Sequence, residues 1–421
     1  MLKLIRNILS DKSDDFTFHR YNQSYNIDLK PKTGLYIHIP FCKNSCPYCP
    51  YNKISYDEKL AQEYKKALIK EISLYHEKFD KASFTSLYIG GGTPSLMINE
   101  LEDILKHLHN CFKIEGDIAL ETSPNDINKD VLIKLKNQGF NLISLGIQSF
   151  NDTQLKCIGR KYNRQDALNA MGKIKNAEFD TVNIDLIFAI ENQTITDIKN
   201  DLLTAISFDI DQITCYPLFT FPFTEIGQIK ELKKVKLPKQ SLRKKMYYFI
   251  NEFLNENGYN RTNVWSFSKN HKNNYSSVTR DYYLGLGASS GSYNGSTFYF
   301  NTFSVSEYIK TLNDKLPISI AMNVSKKLEK NFWLYWQLYN TIIDKNRYNI
   351  EFQTNIEKDH ALILQLMNFF NFIGLKNDKK IELNTKGSHW IHLIQNYYAL
   401  NYVNKIWSVS KNEAWPEKIK I

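Results

Sequence analysis

Apolar and polar positions in the first half of the chain follow a repeating strand-and-helix rhythm. Residues 34–41, GLYIHIPF, form a near-continuous apolar run of strand length. Residues 57–78 place Leu60, Tyr64, Leu68 and Ile72 at helical spacing. Residues 84–94, FTSLYIGGGTP, run from a strand into a glycine turn, where Pro94 stops the strand and permits a helix start. Further strands are expected in residues 117–124, 142–150, 181–190 and 212–218, and helices in 130–140, 164–179 and 195–208. Strands separated by single helices of this length predict βαβ units and a parallel sheet. Six units fit between residues 34 and 220, too few for an eight-fold barrel. The expected fold is therefore α/β, a partial (β/α)6 TIM-like barrel.

Beyond Gln228 the alternation fails. Residues 237–259 predict a long helix ending at Gly258, followed by loop-rich sequence through RDYYLGLGASSGSY, residues 280–293. From about residue 320 the pattern is mostly helical, and the aromatic stripe of residues 327–343 is expected to pack as core. Residues 380–403 give a short strand, a turn at Gly387 and a final helix. Four regions follow: an N-terminal extension over 1–33, the partial barrel over 34–228, and a barrel-completing or connecting region over 229–319. The fourth, over 320–421, is a mainly helical C-terminal domain whose strand and turn could form a wing.

Composition narrows the class. The 421 residues, 43% of them hydrophobic, can bury a sizeable core, and the modest Gly and Pro content speaks against disorder or a fibre. The net charge of +10 arises from 54 basic against 44 acidic residues in scattered short groups. Lys, Asn and Ile rise together, as AT-rich coding produces, and no concentrated basic segment or RNA-binding motif accompanies the charge, so no nucleic-acid partner is expected. The start, MLKLIRNILSDKSDD, is too short and too interrupted for a signal peptide, and no run reaches the ~18 apolar residues of a membrane span. The expected location is cytoplasmic.

Three of the six cysteines, Cys42, Cys46 and Cys49, lie within YIHIPFCKNSCPYCPYNK. In a reducing compartment a disulfide staple is not expected, and clustered thiols point to metal or redox chemistry. Structural zinc needs four ligands; His38 lies back on the strand, and no second cysteine pair follows. A fully ligated 4Fe-4S cluster takes four thiolates, which leaves a cubane on three cysteines with one iron open. Cys111, Cys157 and Cys215 are read as small buried hydrophobes. Polar residues end the successive strands: the Gly90 to Thr93 turn, Glu121, Gln148 and Asp185, with Arg160 just after the fourth strand. Carboxyl ends of parallel strands are where such folds place their sites.

The segments LYIHIPFCKNSCPYC, YIGGGTPS, ETSPNDIN, ISLGIQSFND, IGR, NIDLIF and DYYLGLGASS identify a resemblance. The chain resembles the radical S-adenosylmethionine enzymes, within them the oxygen-independent coproporphyrinogen III oxidase-like group, which includes the heme chaperones. The likeness covers roughly residues 34–295 well and the C-terminal region loosely. It implies that Cys42, Cys46 and Cys49 hold a [4Fe-4S] cluster whose fourth iron is open to S-adenosylmethionine, one or two molecules of which bind. Cleavage of that cofactor gives a 5′-deoxyadenosyl radical. Tyr36 and Tyr48 match positions beside the cluster and cofactor. Gly91, Gly92 and Thr93 match an amide ledge under the methionyl part, and Glu121, Gln148, Arg160 and Asp185 match its polar ligands. The implied partners are a small-molecule substrate (a porphyrinogen, heme or other flat aromatic) and an electron donor such as flavodoxin or ferredoxin.

The chain departs from that pattern at informative places. Tyr51 stands where the porphyrinogen oxidases carry a further cysteine, and Ala189, Ile190 and Glu191 replace their Gly-Leu-Pro turn. The His-Asn-x-x-Tyr-Trp signature of the heme chaperones survives only as HKNNYSS, with His271 and Tyr275 kept and Lys272 and Ser276 substituted. Three activities stay open: radical C–H activation of a porphyrinogen-like substrate, C-methylation of a flat aromatic by a second S-adenosylmethionine, and non-catalytic heme chaperoning. Pro50 and Tyr51, with Cys215, Tyr216 and Phe219, are expected to build an aromatic wall for a flat substrate.

Overall fold

The computed structural model describes residues 16–231, 236–269, 281–313 and 315–421. A short strand, β1 (Thr17–Arg20), precedes the strands anticipated from the pattern: β2 (Gly34–Ile39), β3 (Leu87–Gly91), β4 (Ile118–Thr122), β5 (Leu142–Gln148), β6 (Thr181–Phe188) and β7 (Gln212–Pro217). Helices α1 (Glu58–Lys78), α2 (Ile98–Cys111), α3 (Lys129–Asn137), α4 (Asp152–Cys157), α5 (Arg164–Lys175) and α6 (Ile195–Ser207) lie between them. Neighbours from β2 through β7 pair in parallel, giving the six strands of the expected partial barrel.

Local chemistry explains the helix starts. The Asp57 side chain caps α1 by accepting from the Leu60 amide. Asn163 with Asp166 and Thr194 with Asp197 form capping boxes at α5 and α6. Tyr64, Leu68 and Ile72 of α1 are fully buried, as their spacing required, whereas Leu60 packs at the core's edge.

The region read as loop-rich folds otherwise. Strands β8 (Tyr259–Arg261) and β9 (Ser266–Lys269) extend the β7 edge antiparallel. β10 (Tyr283–Leu286) pairs in parallel with β2 on the opposite side, the seventh parallel strand. The antiparallel strands β11 (Gly291–Tyr293), β12 (Thr297–Asn301) and β13 (Ile318–Asn323) follow, then β1 and finally β14 (Lys418–Lys420). The sheet order is β8-β9-β7-β6-β5-β4-β3-β2-β10-β11-β12-β13-β1-β14. Glycines disguised β10: a Cβ at Gly285 would collide with the Gly291 carbonyl oxygen, so the residue that weakens a strand signal is the one this close hairpin needs.

The long helix is α7 (Gln240–Glu256), ending before Gly258 as expected. The C-terminal region contains α8 (Lys326–Tyr339), α9 (Thr385–Tyr398) and α10 (Asn404–Asn412), with a three-stranded sheet of residues 342–344, 373–376 and 380–383. Its 373–376 and 380–383 strands pair antiparallel across a short turn. The turn expected at Gly387 lies earlier: Asn384 caps α9 by accepting from the Gly387 amide. The Gly387 position touches the Phe372 carbonyl, which a Cβ would strike. Two isolated cysteines also differ from expectation, since Cys215 is buried but Cys111 is half-buried and Cys157 exposed at the end of the short helix α4.

One buried carboxyl ties the barrel to its antiparallel extension. Glu71 of α1 accepts from the Gly287 amide at 2.8 Å, the Asn301 amide at 2.7 Å and the Tyr308 hydroxyl at 2.5 Å. Burial pushes its carboxyl up to about 7, against the pull of those hydrogen bonds. Removing the acceptor strands the Gly287 amide and the Tyr308 hydroxyl, while Asn301 keeps the Gly287 carbonyl and the Ser290 hydroxyl, so Glu71→Ala should cost at least about 2 kcal/mol in urea unfolding. The unfolded carboxyl ionises near ~4.5, so the contribution of protonated Glu71 is fully present below that pH. It is lost as pH rises through about 7. Glu71→Gln, which cannot ionise, should flatten the fall in stability across this window.

Candidate functional site

The inner faces of the parallel strands are polar. Along β5, β6 and β7 every second residue points inward, and a hydrogen-bonded ladder crosses them: Thr214 donates to Asn183 at 2.8 Å, and Asn183 donates to Ser144 at 2.7 Å. Asn183 and Ser144 then both donate to Asp185, at 3.0 and 3.2 Å. The ladder holds the Asp185 carboxyl within β6, three residues before its end at Phe188 and not at the strand end as expected; burial, then the nearby Glu121 charge, pushes it up to about 7. Glu121 is raised too, by burial, against hydrogen bonds from the Tyr88 hydroxyl and from the Gly91 amide at 3.1 Å.

The glycine turn meets β2 backbone to backbone. The Gly92 amide donates to the Ile39 carbonyl at 2.7 Å and the Thr93 amide to Phe41 at 2.8 Å. A Cβ at Gly92 would strike the Phe41 carbonyl oxygen, and one at Gly91, where φ is +116°, would lie 2.6 Å from the His38 ring. An amide ledge was expected here; the amides of Gly91, Gly92 and Thr93 each donate within the protein, to Glu121, Ile39 and Phe41.

The cysteine loop packs against this turn. The Thr93 hydroxyl approaches the Cys42 sulfur at 3.8 Å, and Lys53 donates to the Cys46 carbonyl at 2.8 Å. Lys43 reaches Asp126 beyond β4 at 2.9 Å, and the Ile226 amide donates to the Pro47 carbonyl at 3.1 Å. Gly159 fits under Pro47, where a Cβ would lie 2.5 Å from the proline ring. That contact brings Arg160 to Tyr48, whose hydroxyl accepts from the guanidinium at 2.6 Å. The guanidinium also lies over the Tyr48 and Tyr162 rings, and its buried Nε has no partner among the described residues. Gln148 adopts a left-handed φ of +67° at the end of β5 and turns its amide toward Gly146, beside Arg160.

The three thiols are free, half-buried and on one loop. Burial pushes the Cys42 thiol up to about 11, a tendency that ligation of the thiolate overcomes. Among the described residues no three His, Cys, Asp or Glu side chains close on a point as the ligands of a single ion do. The loop with its unpartnered Arg160 nitrogen and glycine cradle fits an iron–sulfur cluster with an anionic cofactor group beside it.

Next to these residues opens a cavity of about 420 Å³, within the ~300–1,000 Å³ usual for small-molecule sites. Tyr36, His38, Tyr51, Tyr88, Gly91 and Glu121 line one part of it. Tyr293, Phe300, Tyr335, Trp336, Tyr398 and Trp407 enclose another. The stripe expected as core is divided: Trp333, Leu334, Leu338 and Tyr339 are buried, while Phe332, Tyr335 and Trp336 face the cavity. The expected aromatic wall is divided as well. Tyr51 is 52% exposed and lines the cavity, but Tyr216 and Phe219 pack edge-on against Trp265 outside it.

Two residues were missed as site components. His38 Nε2 lies 2.9 Å from the Asn52 carbonyl and Nδ1 2.9 Å from the Tyr36 hydroxyl. The carbonyl can only accept, so Nε2 carries the proton and the neutral ring receives the Tyr36 hydroxyl at Nδ1. Burial lowers the His38 pKa to about 4, which keeps the ring neutral. Asn52, held by His38, donates onward to the Phe303 carbonyl at 2.8 Å. The signal was the i, i+2 spacing of Tyr36 and His38 on a strand beside the cysteines. His271 and Tyr275 lie outside the described residues.

The Radical SAM superfamily model matches residues 36–205. The chain is 31% identical over 355 residues to the heme chaperone HemW of Buchnera aphidicola subsp. Acyrthosiphon pisum, an alignment covering 80% of this chain and 91% of the relative. Identity to the heme chaperone HemW of Lactococcus lactis subsp. lactis is 27% over 385 residues, 89% of this chain and 100% of the relative. The solved coproporphyrinogen III oxidase (HemN) of Escherichia coli, a radical SAM enzyme, superposes with a TM-score of 0.77 at 21% identity. That likeness spans 96% of this chain and 99% of that one, and it shows the fold.

Gly91→Ala should be poorly tolerated, since both the φ and the His38 contact oppose a Cβ. We expect a loss of at least about 2 kcal/mol in chemical denaturation, against a gain of about 0.5–1 kcal/mol for alanine at the open, helical Gly172.

Proposed function

Because the chain belongs to the radical S-adenosylmethionine superfamily, in the group of oxygen-independent coproporphyrinogen III oxidases and heme chaperones, we propose that it activates a flat, tetrapyrrole-class substrate by hydrogen abstraction. In this reading Cys42, Cys46 and Cys49 would hold a [4Fe-4S] cluster, and the glycine turn with Glu121, Gln148, Arg160 and Asp185 would hold S-adenosylmethionine. When bound, the cluster supplies the electron that cleaves the sulfonium C–S bond, giving methionine and a 5′-deoxyadenosyl radical. The observation that carries the proposal is continuity: Gly91 and Glu121 line the same cavity as the aromatic walls, so a flat ring seated there reaches the cofactor position without crossing protein.

The chain's own groups have distinct tasks in this reading. Glu121, steadied by Tyr88 and Gly91, accepts from the methionyl ammonium. Arg160, pre-oriented between Tyr48 and Tyr162, offers its remaining N–H groups to the carboxylate. Gln148 turns its amide toward the cofactor from the end of β5. Asp185 accepts ribose hydroxyls while the ladder beneath it fixes its orientation. Tyr36 covers the cofactor from β2, its hydroxyl anchored on His38. Aromatic walls exclude water from the radical.

Heme carriage is the second reading, favoured by the relatives named heme chaperones at 27–31% identity. Anaerobic reconstitution with reductant and S-adenosylmethionine separates the two. Production of 5′-deoxyadenosine with a porphyrinogen or heme present supports catalysis, whereas stoichiometric heme binding without it supports carriage. Cys42→Ala should lose iron and the visible cluster absorption; full retention of both would end the ligand assignment.

Ionised Asp185 is the better acceptor, and its carboxyl titrates at about 7. Affinity for S-adenosylmethionine should therefore rise from about pH 6 to about pH 8, and Asp185→Asn should flatten that profile in equilibrium dialysis.

A further inference from the structure

The part of the cavity enclosed by the C-terminal helices has a chemistry of its own. Tyr335 of α8 and Gln395 of α9 both line it. Their positions are adjacent: the Tyr335 ring lies 5.7 Å from that of Tyr398, one helical turn beyond Gln395. The Tyr335 hydroxyl and Gln395 Oε1 are buried, and neither has a hydrogen-bond partner among the described residues. A buried polar atom left unmade costs about 1–3 kcal/mol, and two of them on helices that meet in one aromatic wall mark where a ligand's polar group belongs. The surrounding surface is apolar, from Tyr398, Ile394, Trp336 and Trp407.

Charge supplies the second observation. No Lys or Arg lines the cavity among the described residues, and the one carboxyl side chain among them is Glu121. A carboxylate drawn into such a space loses its hydration and gains no cation, which costs several kcal/mol. Tyr335 and Gln395 provide neutral donors and acceptors only.

The structure assigns Tyr335 and Gln395 as a specificity-determining pair that seats an uncharged polar substituent of the ring ligand, while a wall without a cation among the described residues rejects a carboxylate at the same place. The inference rests on the reading of the cavity as a tetrapyrrole site. The ligand's own carboxylates then stay together on one edge, outside the cavity.

Three porphyrins that differ only at two substituents on one edge provide the test. Protoporphyrin IX carries vinyl groups there, hematoporphyrin IX hydroxyethyl groups and coproporphyrin III propionates; all three share the opposite pair of propionates. Each is titrated into the full-length, cluster-reconstituted protein and followed by absorbance. Hematoporphyrin should bind about fivefold more tightly than protoporphyrin, the worth of one neutral hydrogen bond. Coproporphyrin should bind at least about tenfold more weakly than protoporphyrin. Tyr335→Phe, which removes a single oxygen, should erase the hematoporphyrin advantage and leave protoporphyrin affinity unchanged; Gln395→Leu should act in the same direction. Coproporphyrin binding as tightly as the others, or a hematoporphyrin advantage that survives both substitutions, would overturn the specificity pair and leave the proposed function standing. Failure of all three porphyrins to bind would remove the tetrapyrrole reading and this inference with it.

Discussion

Two backbone hydrogen bonds, from Gly92 to Ile39 and from Thr93 to Phe41, lock the end of β3 against the end of β2. The contact leaves no room for a side chain at Gly91 or Gly92, and the rest of the site is arranged around it. On one side the chain leaves β2 through Phe41 directly into the cysteine loop, so the loop's position is set by main-chain geometry before any metal chemistry. On the other, the Gly91 amide holds Glu121 in place. The half-buried carboxyls Glu121 and Asp185 then rely on hydrogen bonds from Tyr88, Asn183 and Ser144 to offset their desolvation.

Those features were legible because their signals are short in sequence. Cys42, Cys46 and Cys49 fall within eight positions, the glycine turn within three, Glu121 and Gln148 each close an apolar run of strand length, and Asp185 interrupts one. Helices α1, α5 and α6 carried both periodicity and capping residues. Other parts depended on partners far away. β10 pairs with β2 across some two hundred and fifty residues, and its glycines weaken the pattern that would announce it. The amides of the glycine turn were expected to face a ligand, and only the β2–β3 contact reveals where they are spent. Helical periodicity marked α8 as apolar on one side, but it cannot tell a side chain packed in the core, such as Trp333, from one facing a cavity, such as Trp336.

The substrate question turns on the wall contributed by the C-terminal region. A barrel with polar strand ends can hold a nucleoside-bearing cofactor in many proteins; what individualises this one is the aromatic enclosure joined to it, largely uncharged and bounded by residues from β11, β12, α8, α9 and α10. Tyr51 belongs to that enclosure as much as to the cysteine loop. Its ring occupies space where a thiol would leave a gap, so the departure from the oxidase pattern reshapes the ligand's surroundings while the glycine turn stays intact.

The enclosure also fixes an order of events during synthesis. Its walls combine Phe16, barrel residues such as Tyr36 and Tyr88, and residues beyond 390 on α9 and α10. A ribosome emits the barrel's strands first, and domains generally organise as they emerge. The nascent chain therefore passes through an interval in which the cysteine loop is formed while Tyr36, Tyr51 and Tyr88 still face open solvent. The chamber is complete only once α9 and α10, the last helices to emerge, have docked.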